Sequence, residues 1–353
     1  MKKTFSIFAL AAAVLCSCDK NADCIPTQEP ENQEPAMLNV SLAFEDESET
    51  KAVTAYTAAQ DYEKAVNSVQ VLVFDESGKI NFYKNAGTST ANISISTTTG
   101  KKTVWAVING PDLKAVATLD ALKATAVDLA DNSITKTEGF VMTGSTTCTV
   151  DASGGTANVN VSRLVARVAL QKITNSLAAG YGSIKIDNVT LINVVGNQNL
   201  AGNAGIATWY NKFGRKDGGS QTAIIDGTTN LASCPTLTFS GTGATVDNGG
   251  AYAPSTPLLF YGYPNSTTTD KTGWAETFTA RKTRLVVAAT ISGTKYYYPV
   301  VLNTPERNKA YTVELTITGL GSTDPDQPVS KGALVANVTV QGWESGATYD
   351  EVI

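Results

Sequence analysis

The sequence contains no histidine. That absence removes Ser-His-Asp and Cys-His nucleophilic catalysis, histidine-ligated zinc hydrolase sites and imidazole proton transfer. Carboxylate pairs and Ser-Lys dyads need no histidine, but no constellation of either kind stands at suitable spacing. The expectation is a protein that is not an enzyme and carries no cofactor and no metal. Basic clusters are lacking too. The 27 Lys and Arg residues are scattered, the densest spots being Lys101-Lys102 and Arg281-Lys282 with Arg284, and the net charge is −5. Nucleic-acid binding needs a basic face that displaces counterions, so no nucleic-acid partner is expected.

Cysteine is scarce. Of five, Cys16 and Cys18 fall in the leader and Cys24 in the polar stretch after it, leaving only Cys148 and Cys234 in the body. Two cysteines build no disulfide scaffold, and one bridge or two separate thiols are both open. Charged residues are only 17% of the chain, and long runs of Leu, Glu and Lys are missing. Thr, Ser, Val, Asn, Gly and Tyr take their place, a balance that favours strands and turns over helices. With 42% hydrophobic residues over 353 positions, the chain has material for about two domains with packed cores.

The N-terminus reads as an export signal. Met1-Lys2-Lys3 is followed by an apolar stretch, Phe5 to Leu15, too short to span a bilayer. It runs into Leu15-Cys16-Ser17-Cys18, which resembles the lipobox of bacterial lipoproteins. Leu15 and Ser17 occupy the −3 and −1 positions, and Cys18 becomes the acylated first residue. Residues 1–17 are then a signal peptide and 18–36 an acidic, polar tether to the outer membrane through the lipid.

Residues Met37 to Phe44 alternate strictly, with Leu38, Val40, Leu42 and Phe44 on one strand face. Glu45 to Lys51 is acidic and free of apolar residues, so an exposed loop. Lys51 is the only basic residue between Lys20 and Lys64, which leaves a trypsin-like protease one obvious cut, between Lys51 and Ala52. Val69–Phe74 and Ile80–Tyr83 flank the turn Asp75–Gly78 and read as a hairpin. Asn92–Ser96, Thr103–Ile108 and Thr156–Val161 read as strands, while Asp112–Leu129 has the spacing of one or two short helices.

From Val159 to Leu170 the alternation changes phase, which requires a bulge, a bend or a new strand. A domain junction is placed there, giving domains 37–160 and 161–353. The second half repeats the strand pattern at Ile184–Val195, Thr236–Phe239, Leu258–Tyr263, Leu285–Ile291, Tyr296–Leu302, Tyr311–Ile317 and Leu334–Val340. Gly196 to Gly250 is poorly periodic and reads as long loops. The fold class is all-β, two β-sandwiches.

Several segments together resemble the fimbrillin family of Bacteroidetes. They are Val66–Phe74 with its turn, Val141-Met142-Thr143-Gly144, and Arg163-Leu164-Val165-Ala166-Arg167-Val168. The second half adds Phe260-Tyr261-Gly262-Tyr263-Pro264-Asn265, Tyr296-Tyr297-Tyr298-Pro299-Val300, and Glu306-Arg307-Asn308-Lys309-Ala310-Tyr311. Last come Thr316-Ile317-Thr318-Gly319 and the closing Val338–Trp343. The resemblance implies two transthyretin-like sandwiches and a lipoprotein precursor that a trypsin-like protease cuts after its first strand. Here that cut falls at Lys51-Ala52, and family members are usually cut after Arg. Loss of Leu38, Val40, Leu42 and Phe44 leaves a groove that a strand from another copy fills. The expected donor is 334–353, carrying Leu334, Ala336, Val338, Val340, Tyr349 and Ile353. The implied partners are identical subunits in a head-to-tail polymer and other fimbrial components, on an extracellular fimbria that supports adhesion. The alternatives are a tip or anchor component of such a fibre, or a monomeric glycan-binding surface lipoprotein.

Overall fold

The first strand begins earlier than its apolar pattern. In the computed structural model β1 spans Pro35–Phe44, because Pro35 and Ala36 already stand opposite Thr98 and Thr97. Long-range pairing thus reaches into residues whose composition reads as tether. The structure describes residues 33–44, 59–131, 139–202, 208–212, 238–240, 243–268, 270, 278–330, 332–343 and 349–352. The body, Glu34–Ile353, is one contact unit.

Its first half adds α1 (Asp61–Lys64), β2 (Val69–Phe74), β3 (Ile80–Asn85), β4 (Ile93–Thr98) and β5 (Gly100–Ile108). They are followed by α2 (Leu119–Ala124), β6 (Ala126–Asp128), β7 (Met142–Val150) and β8 (Gly155–Arg163). The strands run in the order β3-β2-β5-β7-β8-β1-β4. Strands β7 and β8 pair only at Met142↔Arg163 and Thr143↔Ser162, so the sheet folds over there. Val71 and Val73 of β2 and Val104 and Ala106 of β5 then meet Leu38, Val40, Ile93, Ile95 and Val159 in one core. Gly144 sits where the two layers part. A Cβ on it would lie 1.9 Å from the Asn160 carbonyl oxygen, so only glycine fits. Gly144→Ala is expected to cost about 3 kcal/mol through overpacking against backbone, read from urea unfolding.

The outer face of β2 is buried as well. Leu72 and Phe74, with Trp105 and Val107 of β5, share a second core with Leu113 and Leu122. Leu122 comes from α2, whose first turn is capped by Thr118 Oγ1 accepting from the Ala121 N–H at 3.2 Å. The helical spacing over 112–129 thus yields one helix of six residues, closed at Thr125 before β6 begins.

The second half starts where the alternation changes phase: β8 ends at Arg163 and β9 (Ala166–Asn175) begins after two intervening residues. It continues with β10 (Ile184–Ile192), β11 (Val194–Val195), β12 (Asn197–Asn199), β13 (Trp209–Tyr210), β14 (Thr238–Ser240) and β15 (Thr245–Val246). Then come β16 (Ala251–Tyr252), β17 (Leu258–Gly262), β18 (Arg284–Ile291), β19 (Thr294–Val301), β20 (Lys309–Ile317), β21 (Leu334–Gly342) and β22 (Tyr349–Val352). One sheet is β14-β10-β18-β19, with β15 also on β10; the other is β16-β9-β20-β21-β22, with β17 also on β9. The run expected as Ile184–Val195 breaks at Asn193, whose φ of 55° no regular strand accommodates. Strands β6 and β12 pair across the two halves, and the larger core runs continuously from Leu72 to Trp343. The two halves are therefore joined by buried surface and not by a linker.

Candidate functional site

The candidate site is the groove that holds β1, together with the C-terminal edge. Strand β1 is interior. It runs parallel to β8, from Leu38↔Gly155 to Phe44↔Val161, and antiparallel to β4, from Pro35↔Thr98 to Val40↔Ile93. Beyond β4, the Leu42 N–H continues the ladder to the Thr90 carbonyl at 2.7 Å. Of the residues expected on its inward face, Leu38 and Val40 are fully buried, while Leu42 and Phe44 pack partly exposed on the same core. Ala36 shares that face and was not anticipated, because its neighbours Pro35 and Met37 break the pattern. Removing β1 exposes two rows of unpaired backbone groups and an apolar floor, an unstable combination.

At the other end of the chain, β21 is built into its own sheet, paired with β20 from Lys309↔Gly342 to Ile317↔Leu334. Ala336 and Val338 lie in the large core, and Leu334 and Val340 pack against it partly buried. Strand β22 adds only four residues to the free edge of β21, from Asn337↔Val352 to Val340↔Tyr349. Cys18, Lys51, Ala52 and Ile353 lie outside the described residues, and Tyr349 is placed by its backbone in β22.

A buried polar cluster ties α1 to the end of β21. Glu63, on α1, is fully buried with Arg167 of β9, and they pair at 2.9 Å. The same carboxylate accepts from Tyr261 Oη at 2.5 Å, Trp343 Nε1 at 3.1 Å and the Gln60 N–H at 2.7 Å. Burial, and after it the nearby Glu63 carboxylate, push the Tyr261 phenol far above its usual range. Arg163 donates to the Glu63 carbonyl and to Asn308 Oδ1, and its guanidinium stacks 4.8 Å from the Trp343 ring centre. Arg307 reaches across to the β7–β8 junction, donating to the carbonyl oxygens of Ser162, Thr143 and Arg163. The pair Arg163 and Arg167 is thus an internal ion-pair arrangement, not an anion-binding face. Trp343 is the pin from which the last segment departs.

Three other sequence features resolve structurally. Tyr298 is buried, with its hydroxyl on the Gly319 carbonyl, Tyr297 is nearly so, and Tyr296 packs partly buried on the large core. Asp326 is buried between Arg281 and Arg284, which occupy the oxygens a cation would need. Among the described residues no cluster of metal-binding side chains occurs. Cys148 carries a free, half-buried thiol, held above its usual pKa mainly by burial.

Fold and site define an all-β protein of welded sandwich halves whose first strand is inserted, from far in sequence, between β8 and the edge strand β4. Comparison with known proteins places that class. Residues 36–205 match the family described as major fimbrial subunit protein (FimA). Solved structures share the fold over nearly the whole chain. A candidate cell adhesion protein from Bacteroides eggerthii is 21% identical with a TM-score of 0.58, covering 88% of this chain and 96% of that one. Another from Parabacteroides distasonis is 17% identical with a TM-score of 0.60, covering 89% and 99%. A fimbrilin from Porphyromonas gingivalis is 15% identical with a TM-score of 0.58, covering 88% and 98%.

Proposed function

We propose that this chain is a structural shaft subunit of a surface fimbria, exported as a lipoprotein on Cys18, cut between Lys51 and Ala52, and polymerised by strand exchange in support of adhesion. The observation that carries the reading is the position of β1. It is an interior strand with ladder partners on both sides, yet the chain between it and α1 contains a single basic residue, Lys51. One cut there turns a covalent strand into an exchangeable one. An identical subunit then fills the groove in the manner of β-augmentation. Because donor and acceptor surfaces differ, the contact does not close on itself and grows a filament.

The donor lies within 334–353. Leu334, Ala336, Val338 and Val340 belong to β21, whose full-length ladder to β20 keeps it in its own subunit. The part that leaves is therefore the chain beyond Trp343, with Tyr349 and Ile353 as its apolar contacts. An anchor component would keep its first strand and lipid, and a tip component would lack a usable donor segment. This chain has both a cleavable loop and a donor. Protein sheared from cells should begin at Ala52 and carry no lipid, as read by N-terminal sequencing and intact mass. A chain starting at acylated Cys18 would overturn the shaft reading in favour of an anchor.

A further inference from the structure

The floor of the β1 groove is apolar except at one end. Lys102, on the inward side of β5, is only 2% exposed. Its ammonium donates to Thr98 Oγ1 at 3.0 Å and forms no ion pair among the described residues. Asp75 attracts it only from beyond ion-pair range, and Cys148 stands opposite it on β7. Desolvation holds its pKa below the usual lysine value, the mark of a buried cation short of counter-charge.

Lys102 also sits where β1 begins. Its partner Thr98 is opposite Pro35, and the next residue, Thr99, exchanges hydrogen bonds with Glu34 at 2.8 and 3.1 Å. At this level β1 offers Pro35 and Ala36, which have no polar side chain. The C-terminal segment differs. Asp350 and Glu351 are adjacent within β22. Strand side chains alternate, so either register turns one carboxylate toward the groove floor. Over valine and isoleucine an unpaired carboxylate is costly; beside Lys102 it meets a buried ammonium.

We propose that Lys102 is the recognition residue of the groove, pairing with Asp350 or Glu351 of the strand entering from a second copy of this chain. The pairing fixes the polarity of that strand. With Glu351 at the level of Ala36, Tyr349 falls at the level of Leu38, and the strand runs opposite to β1. The reverse polarity, with Tyr349 still at Leu38, would set Glu351 in the place of fully buried Val40. Lys102 thereby favours the entering strand over the resident one, which gives exchange its direction. This inference rests on the strand-exchange reading above.

The test follows polymer growth of the full chain after brief trypsin treatment, on unboiled gels. Lys102→Met is expected to slow growth at least about tenfold. Lys102→Glu should stop it, and adding Asp350→Lys with Glu351→Lys should restore it. A wild-type chain that forms no polymer overturns strand exchange itself and this proposal with it. Wild-type polymers with undiminished growth of Lys102→Met overturn the Lys102 proposal alone. If the Lys102 variants fold poorly, Asp350→Asn with Glu351→Gln leaves the groove untouched and must show the same slowing; normal growth sinks the proposal. Polarity is read by a disulfide between Glu351→Cys and the native Cys148 of the next subunit. The same disulfide is sought from Asp350→Cys, and polymers in which neither variant forms it overturn the polarity.

Discussion

Replacing Arg167 with methionine is expected to destabilise the chain by about 3–5 kcal/mol, the cost of leaving a buried charge without its partner. Glu63 and Arg167 both have 0% side-chain exposure, so no water can compensate the carboxylate once the guanidinium is gone. Its remaining donors, Tyr261, Trp343 and the Gln60 N–H, are dipoles and not charges. The double variant Glu63→Gln with Arg167→Met should recover more than half of that loss, because it removes the orphaned charge while keeping the side-chain volume. Urea unfolding of the two variants decides it. A loss under about 1 kcal/mol for Arg167→Met would mean that water reaches the cluster and that it does not hold the halves together. The effect should also reach the chain end, since Trp343 stacks on both arginines, 4.8 and 5.1 Å from their guanidinium carbons.

Deleting residues 344–353 is expected to abolish polymers and leave the monomer folded. The pin, Trp343, and the whole of β21 are retained, and the loss to the monomer is a four-residue edge strand. On the strand-exchange proposal, the loss to the polymer is its donor. Each large apolar side chain that fills the vacated groove contributes about 1.5–3 kcal/mol, so removing the donor removes most of the contact. Sedimentation of trypsin-treated protein, with circular dichroism on the uncut chain, separates the two outcomes. Polymers that persist would move the donor elsewhere in the chain. An uncut monomer that unfolds would make β22 a structural strand of its own subunit.

Much of the strand inventory was legible because it is local. The alternation of Leu38, Val40, Leu42 and Phe44 reports a face, the turn Asp75–Gly78 reports a hairpin, and the phase change after Val161 reports a new strand. Strand β7 was not read from the sequence. Its Ser145, Thr147 and Thr149 are exposed and the positions between them are only half-buried, so it carries little apolar signal. The candidate site was half legible. The inward face of β1 was visible, but nothing local marks Glu63 as buried, and Lys102 stood only as part of a short basic spot.

The sequence by itself determined the class: few charges, few helix-forming runs and alternating apolar residues leave an all-β protein. It also determined which face of each strand goes inward, since side chains of a strand alternate whatever it pairs with. Only the tertiary structure decided what pairs with what. Strand β1 lies between β8 and β4, over one hundred residues apart from β8 at its start. Trp343 meets Glu63 across a separation of 280 residues. Such contacts are set by the summed burial of many side chains, not by any local pattern, and they convert a solvated-looking glutamate into the centre of a core and a lysine into the one charge on an apolar floor.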